Sequence, residues 1–496
     1  MSKNKKNNDI KQEETFEELH NKRVKEMSRR ELISSGLIKF TAGMALPSIY
    51  KVLANNGFAQ AQEIFCPKGN SSGLCPVITL NLSGGAGLAA QFVPHDEGGA
   101  MLQSYGKLGL GNLASRASEI MDNSPTADPN NIQREFGGVP FAPIQAGAAG
   151  SFLVGVRTSI NGAAPAALAN TAFVGIPVQS RDDSGVNKFD ISGMVAKAGL
   201  VGEILPNLGR NNTATGLRQD FALIKPPTPL IVGNTADLSA ALGVAGRLSN
   251  LNNAQKTKIF KMVQNLSGSQ ARKLASNSGG QNLVNLVHCA TGSNTDLSSQ
   301  DDSIVALPAD IETIWNVANQ NGNNRDRIFA TMVYNGIVGN AGTINLELGG
   351  YDYHNGTRTS GETRDQQAGE VVGRILETAQ SLGQKIMLIV TSDGSVSAAD
   401  DGFGAAWVSD RGNAGMAYMM AFDPVARPIT SSFQLGQFTL GQEVDTQFIT
   451  GGSPELAAAA MFANYLSLNR KVGDIEKVIP RTFTQADLNK IVKIFG

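Results

Sequence analysis

A chain of 496 residues with a formal net charge of −1 is long enough for two or three domains, or for one α/β domain with insertions. Its near-neutral balance, with no basic stretch interleaved with aromatics, excludes a nucleic-acid or anionic-membrane surface. Hydrophobic residues at 41% and charged residues at 17% describe a globular chain with an ample core, and 55 glycines imply long, turn-rich connections.

Residues 1–26 are rich in Lys, Asn, Glu and Gln and read as a disordered leader. The paired Arg29 and Arg30 stand directly before an apolar stretch from Leu32 to Tyr50, which ends near the small-x-small site Ala59-Gln60-Ala61. A basic flank, an apolar segment and a cleavage site are the parts of a secretory signal, and the twin arginine points to the Tat translocase, with cleavage after Ala61 and a periplasmic or secreted mature chain. Gly36, Lys39, Gly43 and Pro47 interrupt the segment, which makes it a poor permanent membrane span, and no later segment reaches spanning length. In an oxidising compartment Cys66 and Cys75, which bracket a Gly/Ser/Asn loop, are candidates for a short disulfide. Cys289, beside His288 in an apolar run, reads as a buried small hydrophobe.

The fold proper begins with the β-run Pro76 to Leu82, which delivers the chain into Ser83-Gly84-Gly85-Ala86-Gly87, the usual opening of an α/β sheet. Gly109-Leu110-Gly111 has no strand before it, and Gly69-Asn70-Ser71-Ser72-Gly73 has no β-run leading in, so neither a dinucleotide site nor a nucleophile elbow is read there. Residues 115–235 alternate short apolar runs (Phe152 to Val156, Ala172 to Val178, Leu230 to Val232) with Asn/Pro/Gly loops. From about 236 to 335 apolar residues recur every three or four positions, as a mainly helical insertion covering one sheet edge would show. Strand Gly342 to Leu348, an amphipathic helix through Ala379 ending near Gly383, and strand Ile386 to Val390 follow. Strand, helix, strand with short links demands a parallel crossover, so the ends of both strands should emerge at one edge of one sheet. An apolar strand from Met416 to Phe422, a helix capped by Ser453-Pro454-Glu455 and a last short helix opening at Thr484 and Asp487 complete the chain. The fold class expected is therefore α/β, a mostly parallel central sheet flanked by helices, with residues 62–496 as a single domain carrying the insertion.

Chemistry concentrates just beyond the two crossover strands. Gly349-Gly350-Tyr351-Asp352-Tyr353-His354 places a carboxylate and an imidazole two residues apart, on one face if the backbone is extended, where they can converge on one ion. The other reading is a surface turn whose Asp and His bond backbone. Val390-Thr391-Ser392-Asp393-Gly394 carries the second acid. Asp182 and Asp183 read as a solvated pair in a loop.

With its twin-arginine leader, Leu82-Ser83-Gly84-Gly85, Pro94, Gly349-Gly350-Tyr351-Asp352-Tyr353-His354 and Val390-Thr391-Ser392-Asp393-Gly394, the chain resembles the exported family known as domain of unknown function fifteen-oh-one, a branch of the alkaline phosphatase and sulfatase superfamily. The resemblance implies an alkaline-phosphatase-like fold. It also implies two divalent ions at the strand ends, with Asp352 and His354 ligating one and Asp393 the other. The chain departs from the pattern: Ala86 stands where the family carries an acid, Asp393-Gly394 replaces Asp-His-Gly, and Asp410-Arg411-Gly412 replaces a later one. His95 and Asp96, after Pro94, are substitute ligands or a surface loop. The metal expectation is one divalent ion, Ca²⁺, Mg²⁺ or Zn²⁺, or else none.

Two functions are consistent with these residues. One is a non-catalytic binding or envelope-assembly protein that engages an envelope protein or glycan; the other is a metal-dependent hydrolase of phosphate or sulfate esters.

Overall fold

The structure is a computed structural model; it describes residues 73–91, 134–136, 139–142, 151–159, 164–180, 188–202, 205–209, 222–226, 229–241, 305–352, 358–398, 407–408 and 412–496, with 108, 255 and 258. Leader residues Arg29, Arg30 and Ala61 therefore lie outside the described residues, as do Cys66, His95, Asp96, Asp182, Asp183, Cys289, His354, Asp410 and Arg411. The chain divides into two compact units: Pro67–Leu238 with Asp302–Gly496 carries the sheet, and Met1–Cys66 with Ser239–Asp301, nearly all outside the described residues, forms the other. Among the described residues no helix is long and apolar enough to cross a membrane.

Seven strands make the central sheet: β1 (Val77–Leu82), β2 (Thr171–Pro177), β3 (Leu205–Gly209), β4 (Leu230–Ile231), β5 (Ala341–Leu348), β6 (Ile386–Ser392) and β7 (Met416–Phe422). Their spatial order is β2-β7-β6-β1-β5-β3-β4. Pairing is parallel except for β7, which runs antiparallel to both β2 and β6. The result is a mixed, mostly parallel α/β sheet with β1 at its centre, and β5 and β6 on either side of β1 end level with it, Leu82 opposite both Leu348 and Ser392. Both crossover strands thus deliver their ends to one edge, as the strand-helix-strand order requires.

The helices used below are α1 (Ser151–Ser159), α2 (Ser192–Lys197), α3 (Ala309–Trp315), α4 (Arg325–Ile337), α5 (Arg358–Ser381), α6 (Pro454–Leu468) and α7 (Gln485–Ile491). The short apolar run from Phe152 to Val156 sits inside helix α1; a five-residue apolar run does not by itself distinguish helix from strand. Within the expected helical insertion, α3 and α4 belong to the sheet unit, and a Cβ added at Gly336 of α4 would lie 2.3 Å from Ile344 Cγ1, so that helix rests directly on β5. On the opposite face α6 packs over Ile389, Met419 and Val174. Helices thus cover both faces, which explains why strands such as β6 (IMLIVTS) are buried along their whole length and read as continuous apolar runs.

Local chemistry fixes the ends of these elements. Helix α5 terminates in paired bonds from Gln384 N–H to the Ala379 carbonyl (3.0 Å) and from Gly383 N–H to the Gln380 carbonyl (3.1 Å). Gly383 supplies the φ of +60° that this closure needs. Helix α6 is buried nearly all round, so its orphan amides have little access to water; Ser453 Oγ accepts from Leu456 N–H at 3.2 Å and Pro454 opens the first turn. Ser453→Ala should cost about 1 kcal/mol of stability, read as a lower urea midpoint at unchanged slope. Inside the same helix Asn464 accepts from Lys493 N–H (2.7 Å) and Ile494 N–H (2.9 Å) and donates to the Ile491 carbonyl (2.9 Å), which ties α7 and the chain terminus to the core.

Cys75 is a buried free thiol, and its suggested partner Cys66 lies outside the described residues. The Cys75 N–H donates to Asn469 Oδ1 (2.9 Å) and Asn469 Nδ2 lies 3.5 Å from the sulfur, at the end of α6. Burial pushes the thiol from its ordinary 9.0 up to about 12. The folded state therefore holds the proton more tightly than the unfolded state. The stability this gives is fully present below pH about 9 and is lost as pH rises toward about 12. Ellman's reagent should find the same thiol count in native wild type and native Cys75→Ala, and one more in wild type once guanidinium is added; a difference under native conditions would contradict the burial.

Candidate functional site

The carboxyl ends of β1, β5 and β6 form one continuous edge at the centre of the sheet, the position where parallel sheets place ligands. The Ser83 N–H donates to the Leu348 carbonyl (2.9 Å) and the Tyr351 N–H donates to the Ser83 carbonyl (3.0 Å), so the β1–β5 ladder continues past the strands into both turns. On the other side the Gly84 N–H donates to Asp393 Oδ1 at 2.7 Å. Ser392 Oγ donates to the Leu82 carbonyl (2.7 Å) and accepts from Ala86 N–H (2.9 Å).

Glycine is required where these turns meet. Gly84 has φ of +117°, and a Cβ there would fall 2.5 Å from Asp352 N and 2.9 Å from Asp352 Cβ. A Cβ on Gly394 would fall 2.9 Å from Gly85 Cα. The Gly84-Gly85 turn is therefore wedged between the loop bearing Asp352 and the loop bearing Asp393.

The structure brings two of the expected ligands, Asp352 and Asp393, to the two sides of one glycine. Asp352 is exposed and Asp393 is 6% exposed. His354, His95 and Asp96 are among the residues outside the description. Among the described residues no group of three or more His, Cys, Asp or Glu is placed to hold a metal ion. Asp352 and Asp393 supply two carboxylates, and Asp393 Oδ1 already serves the Gly84 amide, so the described donors do not by themselves make a metal shell. Tyr351, between the two halves of the edge, is buried and donates through its hydroxyl to the Arg364 carbonyl (2.7 Å); burial, with the nearby Asp365 carboxylate, pushes its phenol well above the usual range, so it stays neutral and acts as a strut.

Sequence reasoning passed over Glu347. It is buried on β5, and its Oε1 accepts from Ser83 Oγ at 2.5 Å, which places a third carboxylate beneath the edge. It belongs to a wider polar face. By strand register, Thr79 and Asn81 of β1, Thr343, Asn345 and Glu347 of β5, Thr391 of β6 and Asn207 of β3 share one side of the sheet, and all are buried. Thr391 Oγ1 donates to Asn81 Oδ1 (3.2 Å), while Asn345 Nδ2 donates to Asn207 Oδ1 (2.9 Å) and reaches Ser192 Oγ of α2 (3.2 Å). Buried Asp190 takes the Ser192 N–H at 2.9 Å. The signal was present as polar/apolar alternation, Thr-Ile-Asn-Leu-Glu-Leu over 343–348 and Ile-Thr-Leu-Asn-Leu over 78–82. Such alternation ordinarily marks a solvated face, whereas the centre of a parallel sheet is covered on both sides.

Comparison of the chain with protein-family models, with curated proteins and with solved structures finds no match.

Proposed function

We propose that this protein is an exported, alkaline-phosphatase-like binding or envelope-assembly protein that engages an envelope protein or glycan through the carboxyl edge of its sheet without turning over an ester. The observation that carries this reading is the 2.7 Å bond from the Gly84 amide to Asp393 Oδ1: the acid that the family pattern would spend on a metal is recessed and closes a turn. The altered positions Ala86, Gly394 and Arg411 support the same reading. Export by the Tat route is part of the proposal. Changing Arg29 and Arg30 together to Lys should retain the precursor in the cytoplasm of a Tat-competent bacterium; undiminished export would remove this part.

The alternative, a metal-dependent hydrolase of phosphate or sulfate esters, is favoured by the convergence of Asp352 and Asp393 on Gly84 at the ends of adjacent parallel strands. One experiment separates the two. Exported protein and its Asp352→Ala variant are assayed for bound metal by elemental mass spectrometry and for turnover of p-nitrophenyl phosphate and p-nitrophenyl sulfate. The binding reading expects no turnover above the blank and no stoichiometric metal that depends on Asp352. Turnover that disappears with Asp352, together with lost metal, would overturn it.

A further inference from the structure

We propose that Asn321, in the loop between α3 and α4, is a site of spontaneous modification that converts through a succinimide to aspartate and isoaspartate. The inference is independent of the binding reading above. The chain holds five Asn-Gly pairs, the sequence in which this chemistry is easiest because glycine carries no Cβ to shield its own nitrogen. Asn321-Gly322 and Asn335-Gly336 are the two that fall among the described residues, and the fold treats them oppositely.

Three features converge at the first pair. Asn321 is exposed, so water reaches both the leaving amide and the ring that forms. The Gly322 N–H donates to no described group, which leaves its proton for water to remove. Asn321 Oδ1 accepts the Asn323 N–H at 3.1 Å, a donor already aimed at the oxygen on which charge builds when Cγ is attacked. The deprotonated Gly322 nitrogen forms a bond to Asn321 Cγ; the Cγ–Nδ2 bond then breaks, and Nδ2 leaves as ammonia after taking up a proton from water. Water next adds to one of the two imide carbonyls, giving aspartate when the bond to Cγ opens and isoaspartate when the bond to the main-chain carbonyl opens. Water is the only co-reactant.

Asn335 is denied each of these. It is 1% exposed, its Nδ2 donates to the Thr331 carbonyl (2.7 Å) and its Oδ1 accepts from Asn340 Nδ2 (2.8 Å). Gly336 lies within α4, where its N–H belongs to the helix ladder. Conversion at Asn321 has a structural consequence, because isoaspartate adds a methylene to the main chain and either product adds a negative charge. The Asn321 carbonyl takes the Asn324 N–H (3.0 Å) and the Gly322 carbonyl takes the Thr235 N–H (3.1 Å). The added atom therefore displaces Asn324, whose Oδ1 caps α4 by accepting from the Asp326 and Arg327 N–H groups.

Peptide mapping by mass spectrometry of the full-length exported protein, held at neutral pH and sampled over weeks, tests this. The amide-to-acid mass shift should accumulate at Asn321 and be slower at Asn335 by about tenfold or more, since Asn335 reacts only when α4 opens. In the guanidinium-unfolded chain the two sites should convert at similar rates, with Asn321 no faster than in the native protein. Asn321→Gln, whose longer side chain would have to close a larger ring, should keep the fold and stay unmodified at that position. Native Asn321 that stays intact, native Asn335 that converts as fast as Asn321, or a gap between the two sites that persists in the unfolded chain would overturn the proposal.

Discussion

Gly369→Ala should destabilise the folded protein by about 3 kcal/mol or more, although alanine is intrinsically the better helix former by roughly 1 kcal/mol. Gly369 lies in the middle of α5, where that helix crosses α1. A Cβ at Gly369 would stand 1.8 Å from the Phe152 carbonyl oxygen and 2.9 Å from Val156 N. The crossing is reciprocal, since a Cβ at Gly155 of α1 would stand 2.0 Å from the Gln366 carbonyl oxygen. All of these neighbours are backbone, so no rotamer change relieves the contact and the helices must part by roughly 1.5 Å to regain ordinary separation. Parting them disturbs more than one interface. Gln91 bridges the pair, its Oε1 accepting from Phe152 N–H (3.1 Å) and its Nε2 donating to buried Asp365 (2.8 Å). Phe152 packs edge-on against Tyr418 of β7 at 5.5 Å, and Arg364 holds the Tyr351 hydroxyl beside the candidate site. Equilibrium urea unfolding of wild type, Gly369→Ala and Gly155→Ala provides the check: both variants should lose stability, and a neutral or stabilising alanine at either position would contradict the crossing.

The order of strands and helices was legible because each crossover element carries its own punctuation. Gly383 ends α5 by its left-handed backbone, Ser453 and Pro454 open α6, and the apolar runs of β1, β5 and β6 have no polar interruption on at least one face. The antiparallel insertion of β7 between β2 and β6 was not legible, since a buried strand has the same composition in either direction. Of the site, Asp352 and Asp393 could be placed at one edge because parallel pairing leaves no other arrangement, and the meeting of their loops at Gly84 follows from β1 lying between β5 and β6. Glu347, Asn81 and Asn345 escaped notice for a physical reason. Alternation tells which side chains share a face, but what covers that face is a tertiary fact, set here by α2 and the Asp190–Ser192 turn. The same residue pattern would be unremarkable on a solvated sheet.

Gly84→Ala should be the most damaging single methyl at the site, and its comparison with Gly85→Ala isolates the reason. Both glycines have positive φ, +117° and +115°, so alanine at either meets backbone strain of about 1–3 kcal/mol. They differ in what the methyl would touch. At Gly85 the nearest atom is Ser395 N at 3.2 Å, a contact that a shift of a few tenths of an ångström relieves. At Gly84 it is Asp352 N at 2.5 Å with Asp352 Cα at 2.9 Å, both backbone, in a loop pinned by the Tyr351 N–H to the Ser83 carbonyl. The Gly84 variant must therefore break that bond or the bond from its own amide to Asp393, and should lose about 1–2 kcal/mol beyond Gly85→Ala. Hydrogen exchange supplies a local readout: the Tyr351 amide, protected in wild type and in Gly85→Ala, should exchange markedly faster in Gly84→Ala. Equal stability loss in the two variants, with Tyr351 still protected, would mean that the Asp352 loop does not rest on Gly84, and the approach of the two carboxylates on which the hydrolase reading draws would be lost with it.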